Sequence, residues 1–237
     1  LAWSIAAVLY LNFGVKTRAA IAVAVLAGYG ALSALVAAPD AAGAGPLTFE
    51  GNLAGYIDRQ FLPGKLIYGS FDPEGLLSTV PAVVTAMLGM FTGEFVRRSD
   101  IRGGRKTLWM AAAAAALLAA GLAFSGVLPV NKKLWSSTFV CVVGAYSLGM
   151  FALFYYLIDV RGWRRWTLFF RVVGLNSITI YLAQRIVGFG RISDFFLGGI
   201  ASKCPEAVAA VISSAGYVAV CWLFLYFLYR KNVFLKV

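Results

Sequence analysis

The chain has 237 residues, of which 61% are hydrophobic and 13% are charged, with a mean hydropathy of +0.81 and a formal net charge of +11. A soluble domain of this length needs more charge to cover its surface, so the composition excludes an ordinary soluble globular protein. Apolar runs of about 18 residues or more recur along the chain, which indicates membrane-spanning helices. We therefore expect an all-α, polytopic transmembrane helix bundle.

The distribution of charge excludes nucleic acid as a partner. Basic residues lie in short clusters between apolar runs and are not interleaved with aromatic residues. The chain has no histidine, which excludes a histidine-activated nucleophile and histidine-bearing metal sites within it. Its cysteines Cys141, Cys204 and Cys221 form no CxxC pair. We predict no metal cofactor, and membrane lipids as partners.

In chain order, the apolar runs predict seven crossings at 1–13, 18–37, 74–96, 107–128, 134–158, 167–187 and 207–229. The first run is too short to span about 30 Å of hydrocarbon. We therefore expect the chain to begin partway through a helix, with residues preceding Leu1.

The connections predict the orientation. Thirteen lysines and arginines lie in one alternating set of connections and seven in the other, which places the first set and the C-terminus in the cytoplasm. The loop 38–72 is then extracytoplasmic. Within it, NLAGYIDRQFL predicts a short helix, either on the membrane surface or as a lid over a site.

The stretch FDPEGLLSTVPA, residues 71–82, places two carboxylates directly before an apolar run. Asp72 suits a helix N-cap, Pro73 the first helical position, and Glu74 the positive end of the helix dipole. Capping does not explain Gly75, which weakens a first turn and lets another backbone or a ligand approach closely. Asp72 and Glu74 therefore either start a helix or face a substrate.

The stretch LPVNKKLWSS, residues 128–137, joins two predicted crossings. Asn131 can cap the helix that follows, and Trp135 suits the interfacial aromatic belt. Lys132 and Lys133 lie where the helix dipole disfavours cations. An anion should compensate them, either a lipid headgroup, the carboxylates at 72 and 74, or a ligand.

The stretch GLNSITIYLAQR, residues 174–185, carries five polar side chains within one predicted crossing: Asn176, Ser177, Thr179, Tyr181 and Gln184. Asn176 falls near the bilayer centre, where an amide must bond a neighbouring helix or line a water-filled cavity. If the helices bundle, one outward-facing mouth would be lined by Asp72, Glu74, Asn131, Lys132 and Gln184.

Two small-residue patterns predict helix packing. Gly89-Met-Phe-Thr-Gly93 is a GxxxG motif, and the alanine-rich run at 111–123 suits close approach of a neighbouring helix.

Together, the strings FDPEGLLSTVPAVVTAMLG, LPVNKKLWSSTFV and GLNSITIYLAQ resemble the membrane domain of heparan-α-glucosaminide N-acetyltransferase and its bacterial relatives, in both order and spacing. The resemblance covers most of the chain and weakens beyond residue 190. It implies a single transmembrane acyltransferase-like domain over 1–237, the C-terminal portion of the family domain, in a bacterial inner membrane. Acetyl-CoA from the cytoplasmic side is the implied co-substrate, an amino sugar on the far side the acceptor, and a homo-oligomer is possible.

The resemblance also implies roles for particular residues. Asp72 and Glu74 match the family's Asp-Pro-Glu-Gly and are the candidate catalytic groups, as a base or to orient the amine. The candidate substrate-binding residues are Asn131, Lys132, Trp135, Asn176 and Gln184. The family's early helices, which carry a histidine implicated in acetyl transfer, have no counterpart here, so we expect this chain alone to be inactive.

Two other function classes remain open from the sequence. A transporter or flippase of a sugar or anionic lipid-linked substrate would use the same polar cavity without making a bond. A non-catalytic membrane subunit would only pack against partners.

Overall fold

The computed structural model describes residues 1–235. Over that range the regular elements are helices, apart from one antiparallel bridge between Ala37 and Asn52. The chain divides into two compact units, one from Leu1 to Gly162 and one from Trp163 onward. The predicted all-α class is confirmed, and five helices are long and apolar enough to cross a membrane. The chain is an integral membrane protein.

The first unit contains six α-helices: α1 Ala2–Asn12, α2 Val15–Leu35, α3 Leu53–Phe61, α4 Leu76–Arg97, α5 Gly103–Ala123 and α6 Ser137–Tyr155. α6 continues into a π-helical segment over Tyr156–Val160. Four candidate spans belong to this unit, and they confirm the crossings predicted at 18–37, 74–96, 107–128 and 134–158. α1 is a shorter apolar helix, and α3 confirms the helix predicted within the loop 38–72.

The core of this unit lies between α1, α2, α4 and α6. Its buried side chains are small or flexible apolar groups: Ala6, Ala22, Val83, Val84, Met87 and Val140. Small residues allow the helices to approach closely, since association within a membrane depends on packing.

An ion pair between a buried arginine and a half-buried glutamate ties three of these helices together. Arg18 counts among the basic residues that predict the orientation, yet only 5% of it is exposed. Its Nη2 donates to Glu94 Oε1 at 2.7 Å and Oε2 at 3.0 Å. The guanidinium also lies 4.6 Å from the centre of the Tyr10 ring. α1, α2 and α4 are therefore joined through one cation.

The two small-residue patterns behave differently. A Cβ at Gly121 would lie 2.7 Å from Val142, so α5 and α6 approach closely there, which confirms the packing predicted for 111–123. The helix packing predicted for the GxxxG motif is not found within residues 1–235. Within the described residues no atom lies within 4 Å of where a Cβ at Gly89 or Gly93 would stand. Both glycines instead line a groove of about 790 Å³ between α4, α5 and α6.

Over residues 163–235 the second unit contains four helices: α7 Thr167–Leu175, α8 Ser177–Ile186, α9 Phe189–Ala201 and α10 Glu206–Arg230. α10 confirms the crossing predicted at 207–229. The Trp222 indole joins it to α7, stacking on Phe169 at 5.7 Å and donating to the Phe169 carbonyl at 3.2 Å. Gly216 admits the Ser193 and Leu197 side chains of α9, which a Cβ there would overlap.

The continuous helix predicted at 167–187 is wrong. α7 and α8 are helices of 9 and 10 residues, separated at Asn176, whose φ of −127° and ψ of 26° lie outside the helical region. At 1.5 Å per residue each covers only about 15 Å. Asparagine favours such breaks because its side chain competes for backbone hydrogen bonds. The segment 189–201, predicted as a connection, is helical.

Candidate functional site

The stretch from Asp72 to Gly75 forms a tight turn rather than the first turn of a helix. α4 begins at Leu76, and Gly75 is its N-cap residue. The Gly75 N–H donates to the Asp72 carbonyl at 3.1 Å, and Asp72 Oδ1 accepts the Glu74 N–H at 2.8 Å. The predicted helix cap at Asp72 is therefore wrong: its carboxylate holds the turn that precedes the helix.

The carboxylate that caps α4 comes from another helix. Asp58, on α3, is fully buried. Its Oδ1 accepts the Leu76 N–H at 3.0 Å, and its Oδ2 lies 3.4 Å from the Asp72 N. Burial raises the pKa of the Asp58 carboxyl, while the two N–H groups act to lower it.

The close approach of the Asp58 carboxylate explains why position 75 is a glycine. A Cβ at position 75 would overlap the Asp58 carboxylate. The glycine does admit a close neighbour, but that neighbour is a protein side chain rather than a backbone or a ligand.

Two further interactions hold the loop that carries Asp58. Arg59 forms an ion pair with Asp40, with Nη2 2.7 Å from Oδ1 and Nε 2.9 Å from Oδ2. Arg59 Nη1 also donates to the Ser70 carbonyl at 2.6 Å. The hydrogen bond from Arg59 lowers the pKa of the Asp40 carboxyl. The chain on both sides of α3 is therefore fixed to α3 itself.

The two candidate catalytic carboxylates differ in their surroundings. Glu74 is exposed, and Asp72 is half-buried. An aromatic cluster of Phe49, Tyr68 and Phe71 lies immediately before them in the chain, with Tyr68 and Phe71 stacked at 5.9 Å. Because Asp72 Oδ1 is engaged by the backbone, Glu74 is the carboxylate whose oxygens remain available to a ligand.

In the second stretch, residues 128–137, the hydrogen bonds that cap the following helix are made by Ser136 rather than by Asn131. Ser136 is the N-cap of α6 and accepts the Phe139 N–H at 3.2 Å and the Asn131 N–H at 3.0 Å. Its hydroxyl donates to the Pro129 carbonyl at 2.9 Å. The predicted capping of this helix by Asn131 is therefore wrong. Asn131 Oδ1 instead accepts the Lys133 N–H at 2.9 Å and stabilises the turn before the helix.

Contacts bring this stretch against residues that flank the first stretch. Lys133 Nζ lies 4.6 Å from the centre of the Tyr68 ring, in the aromatic cluster beside the Asp72–Gly75 turn. Trp135 Nε1 donates to Thr85 Oγ1 on α4 at 3.2 Å, and the Tyr29 hydroxyl on α2 donates to the Leu134 carbonyl. The residues from Asn131 to Trp135 thus share one end of the first unit with Asp72 and Glu74.

The structure separates the roles of the two lysines. Lys133 rests on the Tyr68 ring, which offers its cation a favourable electrostatic surface. Lys132 is exposed. Within residues 1–235 neither lysine forms an ion pair with Asp72 or Glu74. Lys132 is the cation that remains available to an anionic group.

The third stretch belongs to the second unit. Asn176 is only 1% exposed and occupies the break between α7 and α8. Its Oδ1 lies 3.4 Å from Thr179 Oγ1, and its Nδ2 has no hydrogen-bond partner among the described residues. Gln184 is exposed. The substrate-binding roles of Asn176 and Gln184 remain predictions.

Sequence reasoning missed two residues that organise this site. For Asp58 the signal is a carboxylate on a short helix, GYIDRQF, combined with a glycine at 75 that capping leaves unexplained. For Ser136 the signal is a serine three residues before the apolar run of α6, which suits an N-cap better than Asn131 does.

Comparison with known proteins identifies relatives. The human (Homo sapiens) heparan-alpha-glucosaminide N-acetyltransferase is 29% identical to this chain, over 79% of the chain and 30% of the relative. The mouse (Mus musculus) protein of the same name is 28% identical, with the same coverage. The resemblance to the heparan-α-glucosaminide N-acetyltransferase family is confirmed. No family model matches the chain, and the match spans about 30% of the length of these relatives.

Proposed function

We propose that this chain carries the acceptor side of a membrane N-acetyltransferase that transfers acetyl from acetyl-CoA to the amino group of an amino sugar. Similarity to two N-acetyltransferases named for a glucosaminide acceptor supports the reaction class. The single structural observation that carries the assignment is the Asp72–Gly75 turn. It is fixed by backbone and side-chain hydrogen bonds, yet it presents Glu74 to the surroundings.

The chemistry requires a base and an oxyanion donor. The amine nitrogen attacks the acetyl carbonyl carbon, a C–N bond forms, the thioester C–S bond breaks, and CoA leaves as the thiolate, to which the proton taken from the amine is passed to give the thiol. Glu74 accepts the proton lost from the amine, and Asp72 orients the amine through its remaining carboxylate oxygen. Lys132 steadies the developing oxyanion, with Asn131 and Trp135 shaping the acceptor site beside it.

In the second unit, Asn176 and Gln184 are the polar groups that we propose for substrate binding. A buried amide with an unpaired N–H donor is suited to stabilise an oxygen of a reacting group. We place the protein in a bacterial inner membrane, as the resemblance implies, with its C-terminus in the cytoplasm, as the distribution of Lys and Arg favours. The acceptor site then faces the extracytoplasmic side.

The proposal is tested with the full-length protein in proteoliposomes, using acetyl-CoA labelled in the acetyl group and glucosamine as the acceptor probe. The expected product is labelled N-acetylglucosamine, formed only when the protein and both substrates are present. Accumulation of unmodified glucosamine inside the vesicles, without acetylated product, would contradict acyl transfer and support a transporter.

A further inference from the structure

Asp58 is a fully buried carboxylate that the proposed chemistry does not use. It lies on α3, outside the membrane-spanning helices, and its side chain points at the start of α4. Buried carboxylates are uncommon unless they are paired or hydrogen-bonded. Because Asp58 is buried, its carboxylate does not serve to keep the protein surface soluble, and it must have another role.

Its hydrogen bonds bracket the proposed catalytic turn. Oδ1 accepts the N–H of Leu76, the residue after the turn, at 3.0 Å. Oδ2 lies 3.4 Å from the N of Asp72, the residue that begins the turn. Both ends of the four-residue segment that carries Glu74 are therefore held by one carboxylate.

The start of α4 is built to receive this carboxylate. Gly75, the N-cap residue, supplies no side-chain cap, and a Cβ there would overlap Asp58. A negative charge at a helix N-terminus also interacts favourably with the helix dipole. Asp58 thus acts as an N-cap supplied from a different helix.

α3 is itself held in place. Asn52 Oδ1 accepts the Gly55 N–H at 2.6 Å and begins the helix. Arg59, next to Asp58, bridges Asp40 and the Ser70 carbonyl. These contacts fix α3 in place. The position of Asp58, which lies on α3 and bonds the turn, is therefore fixed as well.

We propose that Asp58 is the positioning residue of the acceptor site: α3 acts as a fixed clamp that sets the Asp72–Gly75 turn, rather than as a mobile lid. The inference rests on the proposed function for its catalytic consequence. Misplacement of a reacting group by about 1 Å can cost about 100-fold in rate, so loss of the clamp reduces turnover without removing any group that touches substrate.

The kinetic test compares Asp58→Ala, Asp58→Asn and the control Glu50→Gln in the full-length protein, at equal concentrations of folded enzyme. Glu50 is an exposed carboxylate in the same loop. We expect Asp58→Ala to lower kcat for glucosamine acetylation about 100-fold, with KM for acetyl-CoA unchanged. Asp58→Asn, which keeps one acceptor oxygen, restores part of kcat, and Glu50→Gln matches the wild type. An unchanged kcat for Asp58→Ala would overturn the positioning role.

A second variant tests the contact without deleting the carboxylate. Gly75→Ala places a methyl group where Asp58 now lies, so it should displace the carboxylate and lower kcat as Asp58→Ala does. In Asp58→Ala/Gly75→Ala the methyl group has room, so the double variant should be no worse than Asp58→Ala alone. If the fold-reductions in kcat of the two single variants multiplied in the double variant, the clamp would be overturned.

Hydrogen exchange separates failure of the clamp from failure of the proposed function. Removing Asp58 leaves the Leu76 and Asp72 amides without an acceptor, so a peptide spanning 70–80 should exchange about tenfold faster or more in Asp58→Ala. Faster exchange with no acetylation by the wild type would refute the acetyltransferase but keep the clamp. Unchanged exchange would refute the clamp, whatever the activity.

Discussion

The start of α4 and the break at Asn176 are the two polar regions that the sequence singles out within apolar surroundings, and they are built in opposite ways. At the start of α4 the turn amides are paired: Glu74 with Asp72, Gly75 with the Asp72 carbonyl, and Leu76 with Asp58. At the break the Asn176 amide nitrogen is buried and has no partner among the described residues.

The first region is preorganised by hydrogen bonds, whereas the second keeps a buried polar group unpaired at a cost in stability. A turn whose backbone groups are satisfied holds Glu74 in one place at little cost in stability. A buried amide with an unmade hydrogen bond costs about 1–3 kcal/mol, which is typical of positions kept for a purpose other than stability. Substitutions in the two regions should therefore change stability with opposite signs.

The largest loss of stability is expected for Ser136→Ala. Ser136 caps α6 and also joins Asn131 and Pro129 through its hydroxyl. Loss of an N-cap costs about 1–2 kcal/mol, and the half-buried backbone N–H left without its acceptor at Asn131 adds to this. Thermal unfolding in detergent should show the decrease. The control Ser125→Ala, which removes a hydroxyl bonded only to the Leu122 carbonyl, should have little effect.

Asn176→Leu should change stability in the other direction. It removes the unpaired amide and replaces it with an apolar group of similar size, so the free energy of unfolding should rise by about 1 kcal/mol. Gln184→Leu, an exposed amide on the adjoining helix, should stay within about 0.5 kcal/mol of the wild type. If Asn176 contacts substrate, acetylation falls while stability rises. A large loss of stability would contradict the assignment of an unpaired amide.

Trp135→Phe tests the link between the second stretch and α4. The substitution keeps an aromatic ring but removes the N–H that donates to Thr85. We expect a loss of about 1 kcal/mol in the free energy of unfolding. Trp109→Phe, at an exposed indole on α5, is the control and should have a smaller effect. Equal losses at the two tryptophans would mean that the hydrogen bond contributes little.

The smallest effect is a contrast in pH dependence between two carboxylates of the same loop. The pKa of Asp58 is raised by burial above its ordinary value of 3.8, so the stability it contributes is present below pH 3.8 and is lost as the pH rises through its folded pKa. The pKa of Asp40 is lowered by Arg59, so its contribution is present above pH 3.8 and is lost as the pH falls through its folded pKa.

Melting curves measured across these pH ranges should therefore differ between Asp58→Asn and Asp40→Asn. Asp58→Asn should remove a decline in stability above pH 3.8, and Asp40→Asn should remove a decline on acidification below it. Identical pH profiles for the two variants would contradict the assigned surroundings.

The long apolar runs were enough to predict five crossings and the all-α class, because hydropathy over about 20 residues is a strong signal. The break at Asn176 escaped prediction since a single asparagine within an apolar run is compatible with a continuous helix. The groove beside Gly89 and Gly93 escaped for a related reason: GxxxG predicts that a helix can approach, not that one does.

The candidate site, too, could be predicted only in part from local sequence. Local sequence identified the Asp72–Gly75 turn and the Asn131–Trp135 stretch, since both combine polar groups with helix ends. It assigned the caps to the nearest polar residues, whereas α4 is capped by Asp58 from a separate helix. A partner 18 positions away cannot be inferred from local spacing, although Gly75 indicated that one exists.

The most direct measurement of the central claim is the turnover of Glu74→Gln against that of Glu50→Gln in the full-length protein. If Glu74 is the base that accepts the amine proton, its amide should lower kcat for glucosamine acetylation by about 100-fold or more, as loss of a general base does. Glu50→Gln should match the wild type. Wild-type turnover in Glu74→Gln would contradict placing the acceptor site at this turn.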